Sequence, residues 1–131
     1  YQRADYLCIS GHELNQEIKE SGLTEHERLK KLSRLIDCPN YTLTCGNMGT
    51  LHYQPQKAML QVPAFANRVL DRIGAGDIVF AISSLLVRAN APWDIIGLYA
   101  NAAASIHVSE LGNKNSVDRI KLGRYITSLI K

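Results

Sequence analysis

The chain has 131 residues, of which 46% are hydrophobic and 21% charged, a composition typical of a globular protein with its own core. Its net charge is only +3, and Glu25 and Glu27 lie among the basic residues of the cluster at 28–34. We therefore expect no nucleic acid as a partner. No apolar run is long enough to cross a bilayer, so we expect no membrane partner either.

Two further features bear on the cellular context. The three cysteines, Cys8, Cys38 and Cys45, have no C-x-x-C spacing, which favours reduced, mostly buried thiols in a cytoplasmic protein. The sequence starts at Tyr1 with neither an initiator methionine nor a signal-peptide pattern. We therefore expect it to be a piece of a longer chain.

The first half of the chain alternates between strand and helix patterns. A polar helix is predicted at 13–20, and a second helix runs from a capping box, Thr24 to Glu27, to about Ile36, with leucines at helical spacing. Strands are predicted at 4–10, 41–45, 50–53 and 58–62, with a glycine turn at 46–49.

The second half is helical. The pattern at 77–88 is apolar on nearly every side, which predicts a central, covered helix. An alanine-rich helix follows at 93–108, and a third helix begins at Ser116 or Asp118. Its predicted buried stripe is Ile120, Ile126, Leu129 and Ile130. Strands that alternate with helices favour an α/β fold with a layered sheet, and we treat residues 1–131 as a single domain.

The segment with chemical information is D-R-I-G-A-G-D at 71–77. Small residues at 74–76 let the backbone approach a ligand, and the first N–H groups of the following helix have no partner within it. Together with the helix dipole they form an anion hole suited to a phosphoryl group. Asp77 would then lie where a carboxylate can take the proton of an attacking hydroxyl. The alternative is a tight turn whose acid only stabilises the helix.

This segment resembles the D-T-x-G-A-G-D signature of the ribokinase-like (PfkB) family of carbohydrate kinases. Three other segments resemble family elements in the family's order. T-C-G-N-M-G at 44–49 resembles its T-x-G-x-x-G turn, and N-A-A-A at 101–104 resembles the helix that borders its adenine pocket. S-G-H-E at 10–13 resembles its N-x-x-E element, and the stretch 10–14 is similar to the heptose-phosphate kinase subgroup. The match covers almost the whole chain.

The resemblance implies the C-terminal part of a three-layer, ribokinase-like α/β fold. It also implies ATP-dependent phosphorylation of a sugar or sugar-phosphate hydroxyl, with the fragment inactive by itself. The implied catalytic base is Asp77, with an anion hole at Gly74, Ala75 and Gly76. The implied nucleotide-binding residues are Thr44, Gly46, Gly49, Asn101 and Ala104. Glu13 would help to organise Mg²⁺ through water, and Asp71 would lie near a monovalent-cation (K⁺) site found in some members.

The sequence departs from the family at Ser10, where Asn is usual, and at Arg72, where Thr is usual. The family's N-terminal half, which carries most sugar-contacting residues and the lid, is missing. A non-catalytic pseudokinase or interaction module therefore remains an alternative, and self-association through the surface that this half would cover is expected.

Two other classes of site are less favoured. A dinucleotide-binding fragment would need a third glycine where the sequence has Val79. The histidines His26, His52 and His107 are scattered, so we expect surface or satisfied core histidines rather than metal ligands.

Overall fold

The computed structural model describes residues 3–110 and 116–131. A short 3₁₀ turn, Gly46–Met48, separates the second and third strands. Within the described ranges no helix is both long and apolar enough to cross a bilayer. The elements in chain order are β1 (Leu7–Ser10), α1 (Gly11–Glu17), α2 (Glu25–Leu35), β2 (Tyr41–Thr44), β3 (Thr50–Tyr53), β4 (Leu60–Val62), α3 (Ala75–Arg88), α4 (Trp93–Val108) and α5 (Arg119–Ile130).

Side-chain caps determine where three helices begin. Ser10 Oγ accepts a hydrogen bond from Glu13 N at 3.2 Å, and the Glu13 carboxylate accepts one from Ser10 N at 2.8 Å. Thr24 and Glu27 form the same capping box, as predicted, at 3.3 and 2.8 Å. Each box satisfies two N–H groups that the helix leaves unpaired. Of the two predicted caps for α5, Asp118 is the one used, since its carboxylate accepts from the N–H three residues on.

The boundaries correct several predictions by a few residues. The helix predicted at 13–20 is α1, which begins at Gly11 because Ser10 is its cap, and ends at Glu17. The helix predicted from residue 77 is α3, which begins at Ala75. The strands β1 and β4 begin only at Leu7 and Leu60, later than their patterns predicted.

The four strands form one sheet in the order β1-β2-β3-β4, with β1 parallel to β2 and the other pairs antiparallel. Because strand side chains alternate between faces, the sheet has two different surfaces. The apolar surface packs against α1 and α2, and its core comprises Tyr41, Leu43, Leu51 and Tyr53 with Leu14, Leu29 and Leu32. The polar surface carries Thr42, Thr50 and His52, all buried. Helix α4 contacts β3 and β4 on this surface, so the predicted α/β layering is confirmed.

Helix α4 approaches the polar surface most closely at Gly97. A Cβ atom on Gly97 would overlap the side chain of Val62 on β4 and lie 2.8 Å from His52 Nε2. Glycine in a helix interior is less favourable than alanine by about 1 kcal/mol. Gly97 therefore lowers the helix propensity of α4, but its lack of a side chain allows the helix to lie directly on the sheet.

The prediction that the helix at 77–88 is covered is wrong. Only Val79 and Ser83 of α3 are buried, whereas Phe80 is 51% and Leu85 is 70% exposed. This helix packs chiefly against α4. On its other side the ring of Phe80 stacks on Tyr6 with the ring centroids 6.1 Å apart, but Phe80 and Leu85 stay largely exposed. The apolar composition indicated a helix suited to burial, but it did not indicate which sides of that helix pack against other parts of this chain.

The predicted buried stripe of α5 is also mostly wrong. Ile126 is buried, but Ile120, Leu129 and Ile130 are exposed. The helix packs against α4, and of the four positions only Ile126 is covered.

Two glycine-to-alanine changes test the close approach of α4. Gly97→Ala should lower the free energy of unfolding by about 1–3 kcal/mol, because the added methyl group overpacks against Val62 and His52. The matched control is Gly123→Ala in α5, where nothing lies within 4 Å of the added Cβ. This control should raise the free energy of unfolding by up to about 1 kcal/mol through helix propensity. Urea unfolding followed by circular dichroism measures both, and equal stabilisation by the two changes would contradict the packing argument.

The exposed side of α3 should promote self-association. We expect the apparent mass in light scattering to rise with protein concentration, because exposed apolar patches are buried on association. Leu85→Lys should suppress this rise. The control is Leu35→Lys, which changes a leucine of similar exposure, 67%, on α2, and it should leave the rise unchanged. A monomer at all concentrations for the unmodified chain would refute the expectation.

Candidate active site

The candidate site lies at one edge of the sheet, where β1 and β2 end at Ser10 and Thr44 and β3 begins at Thr50. Ligands of α/β sheets commonly bind beyond the carboxyl ends of parallel strands, since loops and helix N-termini meet there. Two cavities open at this edge. We call them the α4 cavity and the β1 cavity after an element that lines each.

The α4 cavity has a volume of about 260 Å³ and lies between the glycine turn, the start of α3 and the polar side of α4. All five residues predicted to bind a nucleotide line it: Thr44, Gly46, Gly49, Asn101 and Ala104. Ala75 and Gly76 of the predicted anion hole line it as well. Residues from three separate parts of the sequence, which the resemblance associated with one ligand, are therefore brought together.

The β1 cavity has a volume of about 550 Å³ and is lined by two acidic residues, Glu13 and Asp77. It is also lined by Thr44 and Gly76, which the α4 cavity shares. The two cavities are therefore adjacent, and Thr44 and Gly76 form their common boundary. A group bound at this boundary would be accessible from both sides.

The N-terminus of α3 presents unpaired N–H groups at this boundary. Gly74 is the N-cap, with a left-handed φ of 82° that favours glycine. Ala75 N donates to Arg72 O at 3.3 Å, and Ile78 N donates to Gly74 O at 3.1 Å. Within residues 3–110 and 116–131, the N–H groups of Gly76 and Asp77 have no acceptor. These two donors, at the positive end of the helix dipole, can bind an anion.

Asp71 determines the shape of the turn before α3. Its Oδ1 accepts a hydrogen bond from Ile73 N at 2.9 Å, which makes a tight side-chain-to-backbone turn. Asp71 itself does not line either cavity. The structure thus shows a role for this acid in the loop, while its position near a cation site stays a prediction.

The two glycines of the predicted T-x-G-x-x-G turn have different environments. Gly49 has a φ of 90°, and a Cβ there would lie 2.6 Å from both Pro63 C and Ala64 N, so the turn packs tightly on the following segment. Gly46 has a φ of 58°, and nothing lies within 4 Å of a Cβ added to it. Gly49 is therefore required by packing, whereas the space beside Gly46 is open to a ligand.

A chain of buried polar groups fixes the wall of the α4 cavity. The side-chain amide of Asn101 donates to Thr50 Oγ1 at 2.7 Å and to Gly97 O at 2.9 Å. His52 bonds Thr50 Oγ1 through Nε2 and Thr42 Oγ1 through Nδ1, both at 2.9 Å. Both donors of Asn101 are thus used inside the protein. Burial lowers the pKa of His52 to about 4, so the imidazole is neutral, and the prediction of a satisfied core histidine is confirmed for it.

The Glu13 carboxylate is ionised, and it accepts two hydrogen bonds from Ser10. Its pKa is lowered because its carboxylate accepts hydrogen bonds from the side chain and the backbone of Ser10. In the part of the chain that the structure describes, no three His, Cys, Asp or Glu side chains come together as a metal cage. A cation at Glu13 would thus need further ligands from water or a bound substrate.

The thiol in the β1 cavity is not a nucleophile. Burial raises the pKa of Cys8 to about 11, so it is protonated at neutral pH, and the thiolate is the reactive form. Burial likewise raises the pKa of Cys45 to about 12. Cys38 is buried and the other two thiols are half-buried, and all three are free, as predicted.

Sequence reasoning missed several residues of the α4 cavity. Thr50 could have been found, because strand alternation places it on the same face as Thr42. Ala64 and Ala66 gave no signal, since they lie between β4 and α3 in a segment without periodicity. The same segment argues against a dinucleotide site, because the turn at Gly74 follows a loop rather than a strand.

Comparison with protein families identifies the family of the chain. The model of the pfkB family carbohydrate kinases matches residues 1–120, and the chain belongs to this family. The bifunctional protein HldE of Bradyrhizobium diazoefficiens is 42% identical over 79 residues, which are 60% of this chain and 16% of that protein. HldE of a second Bradyrhizobium strain is 30% identical over 129 residues, which are 96% of this chain and 26% of that protein. The chain therefore spans about a quarter or less of these relatives.

Solved structures show the same fold. A ribokinase of Arabidopsis thaliana, complexed with ribose and ATP, is 21% identical, with a TM-score of 0.80 over 93% of this chain and 40% of that one. The phosphofructokinase-2 of Escherichia coli, in complex with potassium, is 14% identical, with a TM-score of 0.82 over 98% of this chain and 42% of that one. The fold is ribokinase-like.

The buried His52 predicts a loss of stability in acid. The unfolded chain gains a proton at His52 below its ordinary pKa of 6.5, whereas the folded chain stays neutral down to about 4. More protons are bound in the unfolded state, so stability should fall as the pH falls through this window. The His52 contribution between pH 7.5 and pH 5 is about 2 kcal/mol.

Urea unfolding at pH 7.5 and pH 5 gives the change in the free energy of unfolding between the two pH values. The contribution of His52 is the difference in this change between the unmodified chain and His52→Gln. The Gln variant should show the smaller pH dependence. His26→Gln, at an exposed histidine, is the control and should behave as the unmodified chain does. Equal pH dependence in all three proteins would show that His52 does not contribute.

Proposed function

We propose that this chain forms the ATP-binding part of a kinase that phosphorylates a hydroxyl of a sugar or sugar phosphate. The observation that carries the proposal is the common boundary of the two cavities. Unpaired N–H groups of Gly76 and Asp77 lie there, and Asp77 also lines the β1 cavity. A nucleotide in one cavity and an acceptor hydroxyl in the other would meet at this point.

The walls of the α4 cavity suit a nucleotide. Its apolar lining includes Ala64, Ala66, Val69 and Val108, against which a flat base can pack. The open backbone at Gly46 leaves space for the ribose or the phosphates. The terminal phosphate would then reach the N–H groups at the start of α3.

Phosphoryl transfer at this boundary requires a proton acceptor and charge stabilisation. As the acceptor hydroxyl oxygen forms its bond to phosphorus, Asp77 takes the hydroxyl proton, and the bond to the leaving phosphate breaks. The N–H groups of Gly76 and Asp77 stabilise the charge on the phosphoryl oxygens, and they are already oriented before reaction. The base and the anion hole are thus parts of a single helix turn.

The donor set also fits Mg²⁺. This ion prefers oxygen ligands and is held by one or two carboxylates together with water and substrate phosphates. Glu13, which lines the β1 cavity, would act through water, and Asp77 would remain available as the base. When bound, Mg²⁺ would neutralise phosphate charge. A monovalent cation such as K⁺ near Asp71 is a further candidate, because one structural relative was solved with potassium.

The acceptor is best sought among sugar phosphates. The resemblance of residues 10–14 to the heptose-phosphate kinase subgroup and the identity to HldE proteins both favour this class. The residues that would select the sugar belong to the part of the family fold outside this chain, so we expect ATP binding but no useful turnover from the chain alone. We place the protein in the cytoplasm.

A non-catalytic interaction module is the second candidate. The observation in its favour is that Ser10 binds the Glu13 carboxylate through both its N–H and its hydroxyl, where the family usually has Asn. Absence of ATP binding by the unmodified chain would favour this candidate over the kinase.

Replacing the proposed base separates catalysis from stability. In a longer, active protein that contains this chain, Asp77→Asn should lower kcat by about 10²–10⁴-fold, because the amide cannot accept the proton. ATP affinity, measured by calorimetric titration, should be nearly unchanged, since the N–H groups at the helix start are retained.

The matched control is Asp94→Asn, which changes an exposed first-turn acid of α4. It should leave both kcat and ATP affinity unchanged. Ordinary turnover in the Asp77 variant would show that this acid only stabilises a helix, and the assignment of the site would have to be withdrawn.

A further inference from the structure

The C-terminal end of α4 holds the loop that leads to the anion hole. Val108 O accepts hydrogen bonds from Leu70 N at 2.7 Å and from Asp71 N at 3.2 Å. One residue earlier, His107 Nε2 lies 2.7 Å from Ile73 O. A carbonyl oxygen only accepts, so Nε2 must carry the hydrogen. Three hydrogen bonds thus connect the last turn of α4 to residues 70–73.

The imidazole also lies against the cap of α3. A Cβ added to Gly74 would be 3.2 Å from His107 Nε2, closer than ordinary van der Waals contact. Ile73 O and Gly74 N belong to the same planar peptide group, so a bond to the oxygen fixes the orientation of the whole group. Glycine has wide conformational freedom, and without this bond the turn could rotate at Gly74.

We propose that His107 is a positioning residue of the anion hole. Its Nε2–H holds the Ile73 carbonyl and thereby directs the N–H groups of Gly76 and Asp77 to the boundary of the two cavities. His107 does not touch the transferred group, and it acts through the backbone. The identity of the anion as a nucleotide phosphate rests on the proposed function, whereas the effect on the loop does not.

A different role would have different consequences. A histidine in the last turn of a helix can simply stabilise that helix by interacting with its dipole. In that case its removal would lower the stability of α4 but would not change the loop at 73–77 selectively. Binding of ATP and of adenosine would then weaken together, because α4 forms the wall of the whole α4 cavity.

Three variants of this chain distinguish the two roles. His107→Leu removes the donor, and His107→Gln keeps an N–H₂ group at a similar distance along the side chain. His26→Leu, at an exposed histidine of α2, is the control. Amide hydrogen exchange measured by NMR reports on the Ile73 and Ala75 N–H groups, both of which are hydrogen-bonded within the turn. Calorimetric titrations with ATP and with adenosine report on the cavity.

In His107→Leu, exchange at Ile73 and Ala75 should be roughly five- to tenfold faster, the effect of losing one net hydrogen bond. ATP affinity should fall by a similar factor, while adenosine affinity stays the same because adenosine has no phosphate. His107→Gln should restore both properties to within about twofold of the unmodified chain, since an N–H donor is again available. The control should match the unmodified chain throughout.

Unchanged exchange at residues 73 and 75 in a folded His107→Leu protein would overturn the proposal, as would equal loss of ATP and adenosine affinity. If His107→Leu does not fold, a folded His107→Gln variant decides: ordinary exchange and ATP affinity support the role of the donor, and loss of either overturns it. If the unmodified chain binds no ATP, the proposed function fails, but the exchange comparison still decides whether His107 positions the loop.

Discussion

Helix α4 can lie on the sheet because residue 97 has no side chain. The space that a methyl group would need is filled by Val62 and His52. At this distance Asn101, one turn further along the helix, reaches Thr50 on β3, and the wall of the α4 cavity is complete. A larger residue at 97 would separate the helix from the sheet and break this bond, so the shape of the cavity depends on a single close contact.

The same helix determines the other side of the site. Its last turn binds residues 70–73 through the Val108 carbonyl and the His107 imidazole, and these residues lead directly into the cap of α3. The wall of one cavity and the proposed anion hole at the common boundary are therefore both positioned by contacts of α4. This arrangement explains how residues far apart in the sequence come to face one small volume. Catalysis of phosphoryl transfer depends mainly on positioning the reacting groups, and such convergence is what positioning requires.

Burial determines which groups near the site are hydrogen-bonded and which are protonated. The polar surface of the sheet, which would be unfavourable under an apolar helix, is satisfied by the chain from Thr42 through His52 and Thr50 to Asn101. Burial keeps His52 neutral and Cys8 protonated, whereas Asp77, the proposed proton acceptor, is exposed. The apolar side of α3 that remains exposed fits the finding that the chain spans only part of its relatives.

The sequence by itself was sufficient for the features that depend on neighbours along the chain. Local patterns predicted the capping box at Thr24, the glycine turn at 46–49, the small residues at the start of α3 and the α/β order of elements. The family signature pointed to Asp77. Tertiary structure decided everything that depends on which surfaces meet. It left Phe80 and Leu85 of α3 exposed, gave Gly97 a packing role, and brought His107 to the loop before Gly74. The physical reason is that helix and strand periods specify which face of an element is apolar, whereas the identity of the partner, and whether this chain contains it, depends on contacts between residues distant in the sequence.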